Sequence, residues 1–213
     1  MKVSAKGVCE IAEHEGIVVA PYYDSVGVLT WGVGHTANAG GLDPKNLPLA
    51  MPKNIDLAIK EAIRVFAQDL EKYADRVNKA VKVPVKQHQF DALNSFDFNT
   101  GGIFKANLTK LLNAGDVKGA AAAFMGWLRP AEIRKRRTAE MNLFLTGNYD
   151  ANGDRIPVWG TNGKGKLTNV IKYISGKDLL SNLESNGVKP TAQPSKGFLA
   201  VLLEMIIQLL TRK

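Results

Sequence analysis

The sequence predicts an α+β chain, mainly α, in which a small β-hairpin lobe and a helical lobe are joined by one long helix, with a C-terminal helical extension. Three observations predict it. From Asn54, a good helix cap, apolar residues recur at Ile55, Ile59, Ile63, Phe66, Leu70, Tyr73 and Val77, in steps of three and four. A helix running from there to about Lys79 spans about 35–40 Å at ~1.5 Å per residue, enough to join two lobes. Residues 21–34 are β-branched, aromatic and glycine-punctuated, the pattern of a hairpin. Three further segments, 87–98, 117–125 and 132–144, read as helices, so helix dominates.

In chain order, Val8, Ile11 and Ala12 sit at helical spacing and His14-Glu15 closes that first helix. Gly16 suits the left-handed position that ends it. Tyr22 and Tyr23 then lead into the turn-like Asp24-Ser25-Val26-Gly27, and 28–33 returns as a strand broken by Gly32. Residues 37–53, with three prolines and two adjacent glycines, read as a loop rimming the hairpin. After the long helix, Val83-Pro84-Val85 breaks the chain. Residues 87–98 are helical again and end at Asn99-Thr100-Gly101-Gly102. Residues 107–116 follow, then an Ala-rich helix over 117–125 started by Gly115 or Asp116. The last of the series, 132–144, comes after Pro130.

From residue 151 the pattern changes. Asn152-Gly153-Asp154, Trp159-Gly160-Thr161 and 162–165 read as turns, and 167–174 and 177–183 as two short helices. Residues 189–197 are a linker by composition. Residues 198–213 read as an apolar helix with one narrow polar stripe, Glu204, Gln208 and Thr211/Arg212. Its 13-residue apolar core is shorter than the ~20 residues a bilayer requires. Three readings of this tail stand open: a last helix packed on the domain, a contact with a second copy, or shallow insertion into a membrane interface. The division expected is therefore 1–150, 151–188, 189–197 and 198–213.

Composition narrows the function. With 213 residues, 45% hydrophobic and 23% charged, the chain is globular, one substantial domain with an appendage. The lone Cys9 excludes an internal disulfide, lies on the apolar side of the first helix, and is expected to be a buried, inert thiol. Residues 1–7 are too short and too polar for a signal peptide. Net charge is +8, unevenly spread: 19 basic against 16 acidic residues over 1–150, but 9 against 4 over 151–213. Anionic partners follow from that balance: peptidoglycan, lipopolysaccharide or an anionic membrane face. Nothing signals nucleic-acid binding, and with one cysteine and three scattered histidines no metal or other cofactor is expected. The chain is expected to act as a monomer.

Chemistry concentrates in residues 15–36. Glu15 precedes a glycine, Asp24 comes nine residues later, Thr30 six after that, and Gly32-Val33-Gly34-His35-Thr36 closes the stretch. An acid, a carboxylate able to hold a water and a small hydroxyl on a tight hairpin suggest a glycoside hydrolase. At a helix C-terminus, near carbonyls of partial negative charge, Glu15 is placed to keep its proton. Gly32 and Gly34 would let a sugar chain approach the backbone.

The run E-G-x(7)-D-x(5)-T-x-G-x-G-H resembles the signature of the phage-type lysozymes, the endolysins of T-even and lambda-like phages. The segments 82–102 and 107–116 are also similar to that family, so the resemblance covers about residues 5–150. It implies a lysozyme-like two-lobed fold and hydrolysis of the β-1,4 bond between N-acetylmuramic acid and N-acetylglucosamine. It implies accumulation in the host cytoplasm and release to the wall through a holin. By position it makes Glu15 the general acid, Asp24 the carboxylate that positions water and Thr30 the hydroxyl beside that water, and it favours inversion. By position relative to Thr146-Gly147, Arg136 resembles an arginine that reaches the acid, which would lower the acid's pKa against the helix-end effect. His35 resembles a residue in a structural ion pair. Trp127 either lines the cleft or packs in the helical lobe. The other basic residues of 134–137 are read as a solvated face, and His88 as a packing residue. Two alternatives use the same scaffold: a membrane-active or wall-binding protein working through its cationic apolar tail, and a lytic transglycosylase. The intact Asp24 and Thr30 weigh against both.

Overall fold

A computed structural model describes residues 1–149, 155–187 and 190. Helix α1 (Ala5–Glu15) starts at Ser4, whose hydroxyl accepts from Gly7 N at 3.1 Å. It ends at Gly16, with φ +68° as a glycine permits but ψ −178°. The chain therefore turns directly into strand β1 (Ile17–Tyr23) instead of making the expected left-handed helical cap. Strand β2 (Leu29–Gly32) returns antiparallel, pairing Tyr22 with Thr30 and Tyr23 with Leu29, and β3 (His35–Thr36) adds a short third strand. The register shifts between Val18 and Tyr22, around Pro21, which has no N–H to give the ladder.

After two short 3-10 turns, Ala37–Ala39 and Pro44–Asn46, helix α2 (Ile55–Ala80) runs 26 residues. Asn54 caps it, accepting from Leu57 N at 3.0 Å. Ile59, Ile63, Phe66, Leu70 and Val77 are buried in the core, with Ile55 and Tyr73 partly buried against it. Helices α3 (Gln87–Thr100), α4 (Asn107–Asn113), α5 (Val117–Ala123) and α6 (Arg134–Thr146) build the helical lobe. Asp116 caps α5, accepting from Gly119 N at 2.8 Å, and 3-10 turns at Phe124–Gly126 and Ala131–Ile133 lead into α6. The core aromatics Phe90, Phe96, Phe124 and Phe144 are fully buried in this lobe.

The region after 150 departs from the sequence reading. Residues Leu167–Ile174, expected as a helix, form strand β5, and Ile156–Thr161, expected to hold only a turn, form β4. The cause is composition: Thr168, Val170, Ile171 and Tyr173 are β-branched or aromatic and favour an extended chain. The second expected helix is present as α7 (Gly176–Ser185), with a capping box between Ser175 and Asp178. Strand β4 pairs in parallel with β1, setting Ile17 beside Val158 and Val18 beside Trp159, and the sheet order is β3-β2-β1-β4-β5. A parallel pair requires a crossover, and here the whole helical lobe supplies it. Ile156, Val158, Ile174, Leu179 and Leu183 join the same core as α1 and α2, so 155–187 is continuous with the preceding domain and not an appended unit.

Residues 198–213, with their expected apolar helix, and all of the linker except Pro190 lie outside the described residues. Among the described residues no helix is long and apolar enough to cross a membrane. Cys9 is buried, and burial, reinforced by Glu13 and Glu10, pushes its thiol up to about 11, so it is a poor nucleophile at neutral pH.

Candidate active site

Glu15 is the last residue of α1, and its side chain is 17% exposed. Its Oε1 accepts from Arg136 Nη1 at 2.5 Å. The arginine comes from the first turn of α6 and is itself buried. Arg136 is held from three sides: Nε donates to Glu140 Oε1 at 3.0 Å, and Nη2 donates to the Ser95 carbonyl at 3.1 Å. Glu140 also accepts from Ser95 Oγ at 2.7 Å and from Arg137 Nη1, and Arg137 Nη2 donates to Asn99 Oδ1. Charges thus alternate, Glu15, Arg136, Glu140, Arg137, across the junction of α1, α3 and α6. Burial alone would pull the Arg136 pKa down, but the flanking carboxylates hold it above the ordinary arginine value. For Arg137, burial and the neighbouring Arg136 prevail over Glu140 and lower it.

Arg136 reaches the acid as its position implies. Of the other three basic residues of 134–137, expected on a solvated face, Arg134 and Lys135 are exposed but Arg137 is buried. The two glycines also allow close packing. A Cβ on Gly34 would lie 2.9 Å from Glu15 Oε2, and one on Gly32 would meet Ala62 of α2 at 3.5 Å. Gly34 lets the acid sit against the hairpin, and Gly32 lets the sheet lie on the long helix.

Asp24 lies in the β1–β2 turn. Asp24 N donates to the Val28 carbonyl at 3.0 Å, while Asp24 Oδ1 accepts from Val26 N at 3.0 Å and Val28 N at 2.8 Å. The turn thus fixes one carboxylate oxygen, and Oδ2 accepts no hydrogen bond from the described residues. Thr30 is buried on β2, and its hydroxyl donates to the Val28 carbonyl at 3.1 Å. Its proton is therefore engaged and its lone pairs are left to accept. Tyr22 pairs with Thr30 across β1 and β2. Burial, then the negative charges of Glu15 and Asp24, push its phenol well above the ordinary tyrosine range. A cleft of about 450 Å³ opens on the helical side of Glu15, lined by Glu13, His14, Asn99, Glu132, Ile133, Lys135 and Arg136.

His35 takes its ion pair with Asp69 of α2. Nδ1 lies 2.7 Å from Asp69 Oδ2, and Nε2 donates to the Leu42 carbonyl at 2.7 Å. Both neighbours accept, so both ring nitrogens carry protons. Burial opposes that charge, but the Asp69 and Leu42 bonds outweigh it and the His35 pKa is raised. A raised folded-state pKa gives stability that is complete below about 6.5 and lost as pH rises through the folded value. Denaturant titrations between pH 5.5 and 9 should show that loss in the parent and a flatter profile in Asp69→Asn. Equal slopes would mean the pair carries no linked proton.

Trp127 sits in the helical lobe, edge-on to Phe96 with centroids 5.2 Å apart, and a Cβ on Gly102 would come within 2.7 Å of its ring. Of the two readings of Trp127, the structure matches packing. His88 Nδ1 lies 2.9 Å from the Leu143 carbonyl, a packing contact as expected. Sequence reasoning missed Tyr22, Asp69, Ser95, Asn99 and Glu140. Two left a signal: Asp69 sits three after Phe66 and four before Tyr73, inside the apolar stripe, and Glu140 follows Arg136 and Arg137 at i+4 and i+3.

The chain is similar to known proteins. A family model described as phage lysozyme matches residues 12–140. The endolysin of Salmonella phage P22 is 32% identical over 152 residues, covering 68% of this chain and 99% of the relative. Among solved structures, an endolysin from Escherichia coli O157:H7 phage FAHEc1 superposes with a TM-score of 0.57 at 29% identity, over 70% of this chain and 96% of that one. The muramidase domain of SpmX from Asticaccaulis excentricus gives 0.54 at 28% identity, over 68% and 98%.

Proposed function

We propose that this chain, which belongs to the phage lysozyme family, cuts the β-1,4 bond between N-acetylmuramic acid and N-acetylglucosamine with Glu15 as acid and Asp24 and Thr30 as the water site. Membership sets the class, a peptidoglycan-hydrolysing endolysin of lysozyme type. The observation that carries the finer reading is that Glu15 Oε2 lies against Gly34, where a Cβ would stand 2.9 Å away, on the same hairpin whose strand β2 holds Thr30.

In this mechanism Glu15, steered by Arg136, gives its proton to the glycosidic oxygen as the bond breaks. Asp24 works from the β1–β2 turn. A water between Asp24 Oδ2 and Thr30 Oγ1 donates one hydrogen to each, because the threonine proton is already engaged with Val28. The water's lone pair is then free to meet the sugar carbon. Arg136 is a positioning residue, held by Glu140 and Ser95. The wall is reached when a holin opens the membrane.

End-group analysis tests the reading. Digested peptidoglycan should carry N-acetylmuramic acid at its new reducing ends. New N-acetylglucosamine reducing ends would move the cut to the other bond. A 1,6-anhydro end, one water lighter, would make the reaction a transglycosylation.

A further inference from the structure

The β4–β5 hairpin lies outside the residues matched by the family model, yet it touches the neighbours of both Glu15 and Asp24. At one end the Trp159 indole covers Gly16, next to Glu15, where a Cβ would lie 2.9 Å from Nε1. At the other end the hairpin turn meets Tyr23, next to Asp24. Tyr23 N donates to the Gly165 carbonyl at 2.8 Å, and the tyrosine ring lies so close that a Cβ on Gly165 would stand 2.9 Å from it. Between these points β4 is paired to β1. The turn is held from within as well. Asn162 Oδ1 accepts from Lys164 N at 2.9 Å and Lys166 N at 3.1 Å, and Asn162 N donates to the Lys166 carbonyl at 3.0 Å.

This fixed turn carries two exposed lysines, Lys164 and Lys166, on either side of Gly165. Other cations of the hairpin are engaged: Lys172 bonds Asp56 at 2.6 Å and Arg155 stacks on Tyr173 at 4.4 Å. Lys164 and Lys166 have no acidic partner among the described residues. Exposed Tyr23 lies between them and Asp24. We propose that the turn 162–166 is a subsite for the carboxylates of the peptide stems on the glycan strand, bound through Lys164 and Lys166 as the strand passes Asp24. The proposal rests on the reading that Asp24 borders the cleft. The stems are chosen over other anions because a sugar chain running past Asp24 brings its own substituents to that point, and free carboxylates are their charged groups.

The test uses the full chain on two substrates, native peptidoglycan and the same wall with its stem carboxylates converted to amides. The parent should cut native wall about three- to tenfold faster at limiting substrate, the size expected of two exposed ion pairs, and lose that preference in high salt. Lys164→Gln/Lys166→Gln should abolish the preference, whereas Lys110→Gln/Lys118→Gln, the same charge change on α4 and α5, should keep it. A parent without preference overturns the subsite, as does a preference that survives the turn variant or a variant that slows equally on both walls. Weakened binding to anionic vesicles, with the wall preference intact, would also overturn it and assign the lysines to a membrane. The reducing ends on either wall report separately on the catalytic reading, which can fail or stand whatever the lysines do.

Discussion

Glu15→Gln should clear a suspension of cell walls at least about 10²–10⁴-fold more slowly than the parent, the range that a positioned proton donor contributes. Glutamine has nearly the shape of glutamate, and its carbonyl oxygen can still accept from Arg136 Nη1, which now sits 2.5 Å from Glu15 Oε1. It cannot give a proton to a departing sugar oxygen. Arg136 would keep its bonds to Glu140 and to the Ser95 carbonyl, so the guanidinium is not stranded and the fold should survive. The measurement therefore pairs wall clearance with a melting curve. A folded variant retaining more than about a tenth of the parent rate would remove Glu15 from the role of acid, because that loss is smaller than the least that general acid catalysis supplies.

The contrast between what was legible and what was not follows sequence distance. The two candidate carboxylates were readable because each is placed by a local device: a helix end and a glycine for Glu15, a four-residue turn for Asp24. The long helix was readable because its apolar stripe repeats on its own. Strand β5 was not. As the sheet's edge, it leaves Leu167, Ile171 and Tyr173 exposed and shows no clean alternation of burial. Strand β4 gets its identity from pairing with β1, about 140 residues earlier, and no local pattern announces a partner at that distance. Arg137, expected on a solvated face, is buried for a related reason. Arg134 and Lys135 meet solvent, while Arg136 and Arg137 point inward only because Ser95, Asn99 and Glu140 converge there from two helices. The signal available was the acid three and four residues on, which could neutralise both arginines if all three faced one side.

That convergence sets the largest expected effect on stability. Glu140→Gln should lower stability by about 3–5 kcal/mol, the usual result of removing one member of a buried ion pair. Glu140 is fully buried and accepts from Arg136, Arg137 and Ser95. Its loss leaves two guanidiniums facing one remaining carboxylate, Glu15, across a desolvated junction. Arg137 has the less support: beyond Glu140 its bonded partner is Asn99, and its buried Nε has no acceptor among the described residues. At about 2–4 °C per kcal/mol for a chain of this size, the melting temperature should fall by roughly 6–20 °C. Arg137→Met combined with Glu140→Gln should recover part of that fall, since removing both charges of a buried pair costs far less than removing one. The rescue separates charge from shape, because the double variant keeps the glutamine and changes only whether a second cation must be neutralised. A fall under about 2 °C in the single variant, or no recovery in the double, would mean that Glu140 does not neutralise the arginines that hold the acid.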